Sequence, residues 1–323
     1  MIQFDIPQLF SIGKERLDAG GERPKKLLGL YLLVFAATSI GVTVLDYILT
    51  LSTEGLSGLS NVATRSVLGT FQTLLGILSA VLLPMWYYCF ASGSLQTYRG
   101  KNPEPKSMVT GFHQWKRLLM AGFMFLVPIF VTSYLVIMLV SYFLTSVILS
   151  QMDPATIQAF VETQDISLIT DTVLPIALVC AAIVIVITVF FLFRYRLAFF
   201  LLSDFPKIPG SQVLRCSSRM MRGNMKQFLR LDLRFWWYYA AQVLIGLIPS
   251  VGVIANLSGT SLPIDSNLMF LISGILHTVL LCALDYSVKN RMIYTYAAAY
   301  DRLLQVKSEQ LFQMQQSYNA PKM

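Results

Sequence analysis

The sequence predicts an all-α, polytopic membrane protein with six transmembrane helices and a cytoplasmic amphipathic helix before the fifth. Three observations carry this. Of the 323 residues, 55% are hydrophobic and only 13% charged, whereas soluble domains carry about 25% charged residues. Mean hydropathy is +0.61, and six apolar segments reach the roughly 20 helical residues that cross a hydrocarbon core of about 30 Å. Lysine and arginine also alternate from one connection to the next.

The chain opens with a polar amino-terminal segment, 1–26, that holds Asp5, Glu15, Asp18 and Glu22. Its length and acidity are unlike a cleaved secretory signal. The first span runs over about 27–50, the second within 66–92 and the third within 118–150. The fourth covers about 172–200, the fifth about Phe235 to Asn256, and the sixth about 267–296. The domain organisation is therefore 1–26, a transmembrane domain over 27–307, and a polar cytoplasmic tail over 308–323.

The connections set the orientation. The amino end, the second and fourth connections and the carboxyl end together hold 24 of the 25 cations, and only Arg65 lies in another connection. The third connection carries Asp153, Glu162, Asp165 and Asp171 without a cation. Cytoplasmic loops are enriched in Lys and Arg, so both termini are expected in the cytoplasm. The net charge of +8 then reports topology, and nucleic acid is not an expected partner. Aromatic groups at Trp86-Tyr87-Tyr88, at 235–239 and at Tyr286, Tyr294, Tyr296 and Tyr300 mark headgroup boundaries, where a half-solvated ring is favoured.

Proline and glycine punctuate the rest. Asn102-Pro103-Glu104-Pro105 reads as a rigid turn, and Asp153-Pro154 as the start of a short outer helix over 154–163. Pro128, Pro175 and Pro249 could each kink a membrane helix.

The stretch RCSSRMMRGNMKQF, 215–228, is the main candidate site. Arg215, Arg219, Arg222 and Lys226 fall at i, i+4, i+7 and i+11, one helical face. Gly223 suits a positive-φ helix end. Asn224 suits an N-cap, with Gln227 completing a capping box. Two helices with an elbow at Gly223-Asn224 are expected. The first would lie on the cytoplasmic surface with its apolar side in the headgroup layer. Each cation near an anionic leaflet contributes about 1 kcal/mol. The four cations are thus a lipid-headgroup site, and anionic lipids are the expected partners, with an unidentified membrane protein as a second.

SDFP at 203–206, SRMMRGN at 218–224 and LDLRF at 231–235 resemble a bacterial integral-membrane family catalogued as "domain of unknown function 975". The matching residues are Asp204, Pro206, Ser218, Met221, Gly223, Asn224, Leu231, Leu233 and Phe235. A Tyr-rich last helix, YTYAAAYDRL at 294–303, is similar to the family's as well. The chain departs from the pattern at Arg234 and Tyr238, where the family often has Ser and Trp. The resemblance implies six membrane helices in a bacterial cytoplasmic (plasma) membrane and no established activity.

Ionisable groups inside a membrane are candidates by default. Asp285 and Lys289 are spaced i, i+4 near the inner end of span six, and Arg194 of span four is a candidate third member of an intramembrane polar pair. Arg196 is an alternative partner there. Asp46 lies toward the outer end of span one. The four outer carboxylates lack calcium-loop spacing. His113 and His277 are far apart, no zinc spacing occurs, and the four cysteines show no CxxC pair. No metal, cofactor or catalytic residue is expected. The expected role is a non-enzymatic membrane component, a scaffold or envelope-associated accessory contacting anionic lipid. The alternative is a transporter or lipid-handling permease with a cavity beside Asp46 or Asp285.

Overall fold

The computed structural model describes residues 4–55, 62–103, 111–151, 167–250 and 266–319. Every regular element among them is helical. In chain order these are α1 (Ile6–Ala19), α2 (Arg23–Gly55), α3 (Val62–Tyr98), α4 (Trp115–Gln151) and α5 (Ser167–Tyr195). There follow α6 (Ala198–Asp204), α7 (Gly210–Met221), α8 (Met225–Leu233), α9 (Trp236–Gly246) and α10 (Ser266–Asn319).

Five stretches are long and apolar enough to cross a membrane: Arg23–Ser52, Gly69–Tyr98, Trp115–Val140, Ala182–Asp204 and Asn267–Lys307. The expected fifth of six is not among them. Helix α9 ends at Gly246 and a 3₁₀ turn follows at Ile248–Ser250, while 251–256 lies outside the described residues. The fourth span, expected over about 172–200, falls within Ala182–Asp204, with a turn at Arg196-Leu197 between α5 and α6. The expected outer helix over 154–163 lies outside the described residues.

The core sits at one end of the long helices. It gathers Leu9 of α1, Leu27, Leu28, Tyr31 and Leu32 at the start of α2, and the inward side of α3 from Met85 to Tyr98. Leu118 and Ala121 of α4, the inward faces of α6 to α8, and Val288 to Leu303 of α10 complete it. Away from that end few of the described residues are buried. In α4 the most apolar 18-residue stretch buries none of its residues, and in α10 only 6%. The physical reason is the solvent. In hydrocarbon an apolar side chain gains little by exchanging lipid for protein. In water it gains by burial. Helix α10 has 54 residues, about 81 Å at 1.5 Å per residue, more than twice a hydrocarbon core. Part of it must stand outside the bilayer.

Both ends of the chain are largely helical among the described residues. Asp5 caps α1 by accepting from the Gln8 N–H at 3.4 Å, and Leu9 is fully buried. Gly13 lets α1 press against the Thr295 backbone of α10, where a Cβ would lie 3.1 Å away. At the carboxyl end, α10 continues through Asn319.

Helix α7 is set by a clamp and a close approach. The Arg117 guanidinium donates to the Ile208 carbonyl at 2.6 and 2.9 Å and to the Phe205 carbonyl at 2.8 Å. Gly210 then begins α7 against α4, where an added Cβ would meet the Arg117 carbonyl oxygen at 2.2 Å. Only glycine fits there.

Candidate functional site

Three ion-paired clusters lie in the packed end. In the first, Lys289 and Asp285 pair one turn apart on α10, 8% and 5% exposed. The other Asp285 oxygen accepts from the Tyr238 hydroxyl at 2.6 Å, and Gln242 donates to that hydroxyl at 2.8 Å. Lys289 Nζ also donates to the Tyr31 hydroxyl at 3.3 Å. It stands 4.7 Å from the centre of the Tyr31 ring and 5.5 Å from that of Tyr87, within cation–π range.

The second cluster centres on Arg196 in the turn after α5. Its guanidinium pairs with Asp232 of α8 and donates to the hydroxyls of Tyr239 at 2.9 Å and Tyr296 at 2.5 Å. Tyr296 and Tyr239 in turn donate to Asp232. The Tyr238 and Tyr239 rings, 5.5 Å apart, join the two clusters.

The third cluster ties α3, α6 and α10. Arg99 donates to both Asp204 oxygens at 2.6 and 2.8 Å and to Asp301 at 2.5 Å, while Tyr300 donates to Asp204 at 2.8 Å. Burial alone would lower the Arg99 pKa, but the two carboxylates reverse this and raise it. Each carboxylate in these clusters faces a cation, the arrangement that makes buried charge tolerable.

Arg194 is not brought to Asp285. Its Nε donates to Ser218 Oγ at 2.7 Å, and Ser217 Oγ donates to the Arg194 carbonyl at 3.3 Å. It joins α5 to α7. Asp46 is half-buried on α2, and His277 half-buried on α10. Asp171 falls in α5, whereas Asp153, Glu162 and Asp165 lie outside the described residues.

The basic stretch is divided differently from its spacing. Arg215 and Arg219 are exposed on α7. The helix ends at Met221, so Arg222 sits in the elbow and Lys226 on α8, both exposed. Gly223 has φ +83°, the conformation glycine adopts without a Cβ penalty. Asn224 follows, buried, but forms no side-chain cap. Its Nδ2 donates back to the Met220 carbonyl at 3.0 Å, so the capping box with Gln227 is not made. Lys307 instead caps the end of α7, donating to the carbonyls of Arg219 and Met220 at 3.2 Å each.

The apolar side of α7 is covered by protein. Val213, Leu214, Cys216, Met220 and Met221 are buried in the core. This corrects the expectation that they sink into the headgroup layer. Burial also pushes the Cys216 thiol pKa up, against a smaller opposite effect of Arg219.

Sequence reading missed Arg99, Asp204, Asp232 and Asp301 as paired residues. The available signal was a lone carboxylate in a cationic stretch of a charge-poor chain, which has to find a cation. The chain matches no protein-family model, no curated protein and no solved structure.

Proposed function

We propose that the chain is a non-enzymatic integral membrane protein, a scaffold or envelope-associated accessory, that holds anionic lipid through Arg215, Arg219, Arg222 and Lys226. The observation behind this reading is that all four cations are exposed while the residues between them, Cys216, Ser217, Met220 and Met221, are buried. Charges on a backbone fixed in this way lose little further freedom when a phosphate arrives. Six spans, cytoplasmic termini, a bacterial cytoplasmic membrane and membership of the family of "domain of unknown function 975" belong to the same reading. They are supported by the alternation of cations and by the residues from Asp204 to Phe235. The test is the lipid that co-purifies from a bacterial host. The R215Q/R219Q/R222Q/K226Q variant should carry less anionic lipid than the parent, and an unchanged lipid complement defeats the reading.

A second reading, a lipid-handling permease, is favoured by how the long helices group. Helix α4 packs on α5, whereas α2 packs on α3 and α10. Under this reading the two groups part to let water reach Asp285 and Lys289, which are buried among Tyr31, Tyr87 and Tyr238. Cys282, half-buried about one turn before Asp285, reports on it. A water-soluble thiosulfonate should modify Cys282 in membranes under this reading and leave it intact otherwise.

A further inference from the structure

A second outward stripe runs through α8 and continues into α9. Lys226, Leu229, Arg230, Leu233 and Arg234 are exposed at helical spacing, and Trp236 and Trp237 follow. Further along, the same side is wholly apolar, with Val243, Leu244 and Leu247 exposed. The opposite side is locked inward by Phe228, Leu231, Phe235 and Tyr238, and by Asp232 on Arg196. The stripe therefore has one orientation. Its composition grades from cations interleaved with leucine, through two tryptophans, to hydrocarbon.

That gradation is the profile of a leaflet. Lys and Arg stems lie on apolar surface while their heads reach phosphate. Tryptophan favours the boundary, and aliphatic residues the acyl chains. Leu229 and Leu233 are 47% and 59% exposed, and Trp236 65%. Helix α7 lacks this second half, because its apolar side chains are buried. It can offer charge but not apolar contact. From Lys226 to Trp236 the rise is about 15 Å for continuous helix, enough to cross a headgroup layer obliquely.

We infer that the outward stripe of α8 and the start of α9 seats an anionic phospholipid of the leaflet. Lys226, Arg230 and Arg234 hold its phosphate, and Leu229, Leu233 and Trp236 lie along its glycerol and upper acyl region. This rests on the anionic-lipid reading above and moves the main contact from α7 to α8.

The experiment uses the full chain in phosphatidylcholine vesicles containing spin-labelled phosphatidylglycerol or spin-labelled phosphatidylcholine. The motionally restricted fraction of each label gives the selectivity. K226Q/R230Q/R234Q should lose the preference for phosphatidylglycerol, and R215Q/R219Q/R222Q should keep most of it. Separately, tryptophan emission should be quenched by lipid labelled near the headgroup more than by lipid labelled deep in the chain. That component should disappear in W236F/W237F. If only the α7 triple loses selectivity, the lipid reading stands and the siting on α8 is overturned. If neither triple changes, both are overturned. Stronger quenching by the deep label also overturns the siting.

Discussion

The Arg196 guanidinium pairs with the Asp232 carboxylate, joining the turn after α5 to the inward side of α8. The pair is mostly buried, with side-chain exposures of 21% and 9%. It fixes which side of α8 faces the core and, through that, which side carries Lys226, Arg230 and Arg234 outward.

Breaking this pair should cost more than removing it. Arg196→Gln leaves the buried carboxylate without its cation and should destabilise the protein by about 3–5 kcal/mol. R196M/D232L removes both charges and should recover much of that loss. Thermal unfolding in detergent distinguishes the two. An Arg196→Gln protein as stable as the parent would mean that Asp232 carries no uncompensated charge.

Tyr238 and Asp285 share a hydrogen bond, whereas Arg194 and Asp285 do not. Tyr238→Phe and Asp285→Asn should therefore couple, with an interaction energy of about 0.5–3 kcal/mol in a double-mutant cycle. Arg194→Gln and Asp285→Asn should add. Additivity in the first cycle, or coupling in the second, contradicts the arrangement.

Two glycines should respond for different reasons. At Gly223, φ is +83°, and alanine there should cost about 1–2 kcal/mol through backbone strain. Asparagine, which tolerates the left-handed region, should cost less. At Gly210 the obstacle is the Arg117 carbonyl, so alanine must push α7 from α4, at about 1–3 kcal/mol or more. Midpoints of thermal unfolding should fall for both alanine variants. Only the Gly223 loss should be relieved by asparagine.

Cys216 supplies a pH prediction. Its thiol pKa is raised, chiefly by burial. The thiolate is the reactive form, so at any given pH Cys216 holds less of it than a free thiol. In a background lacking the other three cysteines, maleimide labelling should be slow at neutral pH and accelerate only above the pH at which a free thiol does. Cysteine at the exposed position 215 should label rapidly. Equal rates at neutral pH would place Cys216 in water.

Five of the long apolar helices and the break at Gly223 were legible because both are local. Length and hydropathy mark a helix long enough to span, and Gly223 marks a helix end. The position of the core was not legible, because a leucine facing lipid and one facing protein look alike in sequence. Leu33 and Leu32 are neighbours on α2, one exposed and one buried. The same ambiguity misassigned α7, whose periodicity was right while the medium covering its apolar side was protein. Leu9 sits in a polar segment yet is fully buried, because α10, nearly three hundred residues away, supplies its partner surface. Asp232 and Asp301 find their arginines across 36 and 202 residues, and no local period encodes such pairs.

The most direct measurement of the lipid reading is native mass spectrometry of the parent and of R215Q/R219Q/R222Q/K226Q. Each is released from the same mixture of phosphatidylglycerol and phosphatidylcholine. The predicted result is that the parent retains phosphatidylglycerol preferentially and that the variant, which keeps Arg230 and Arg234, shows a weaker preference. Equal, undiminished retention of phosphatidylglycerol by both proteins would contradict the account.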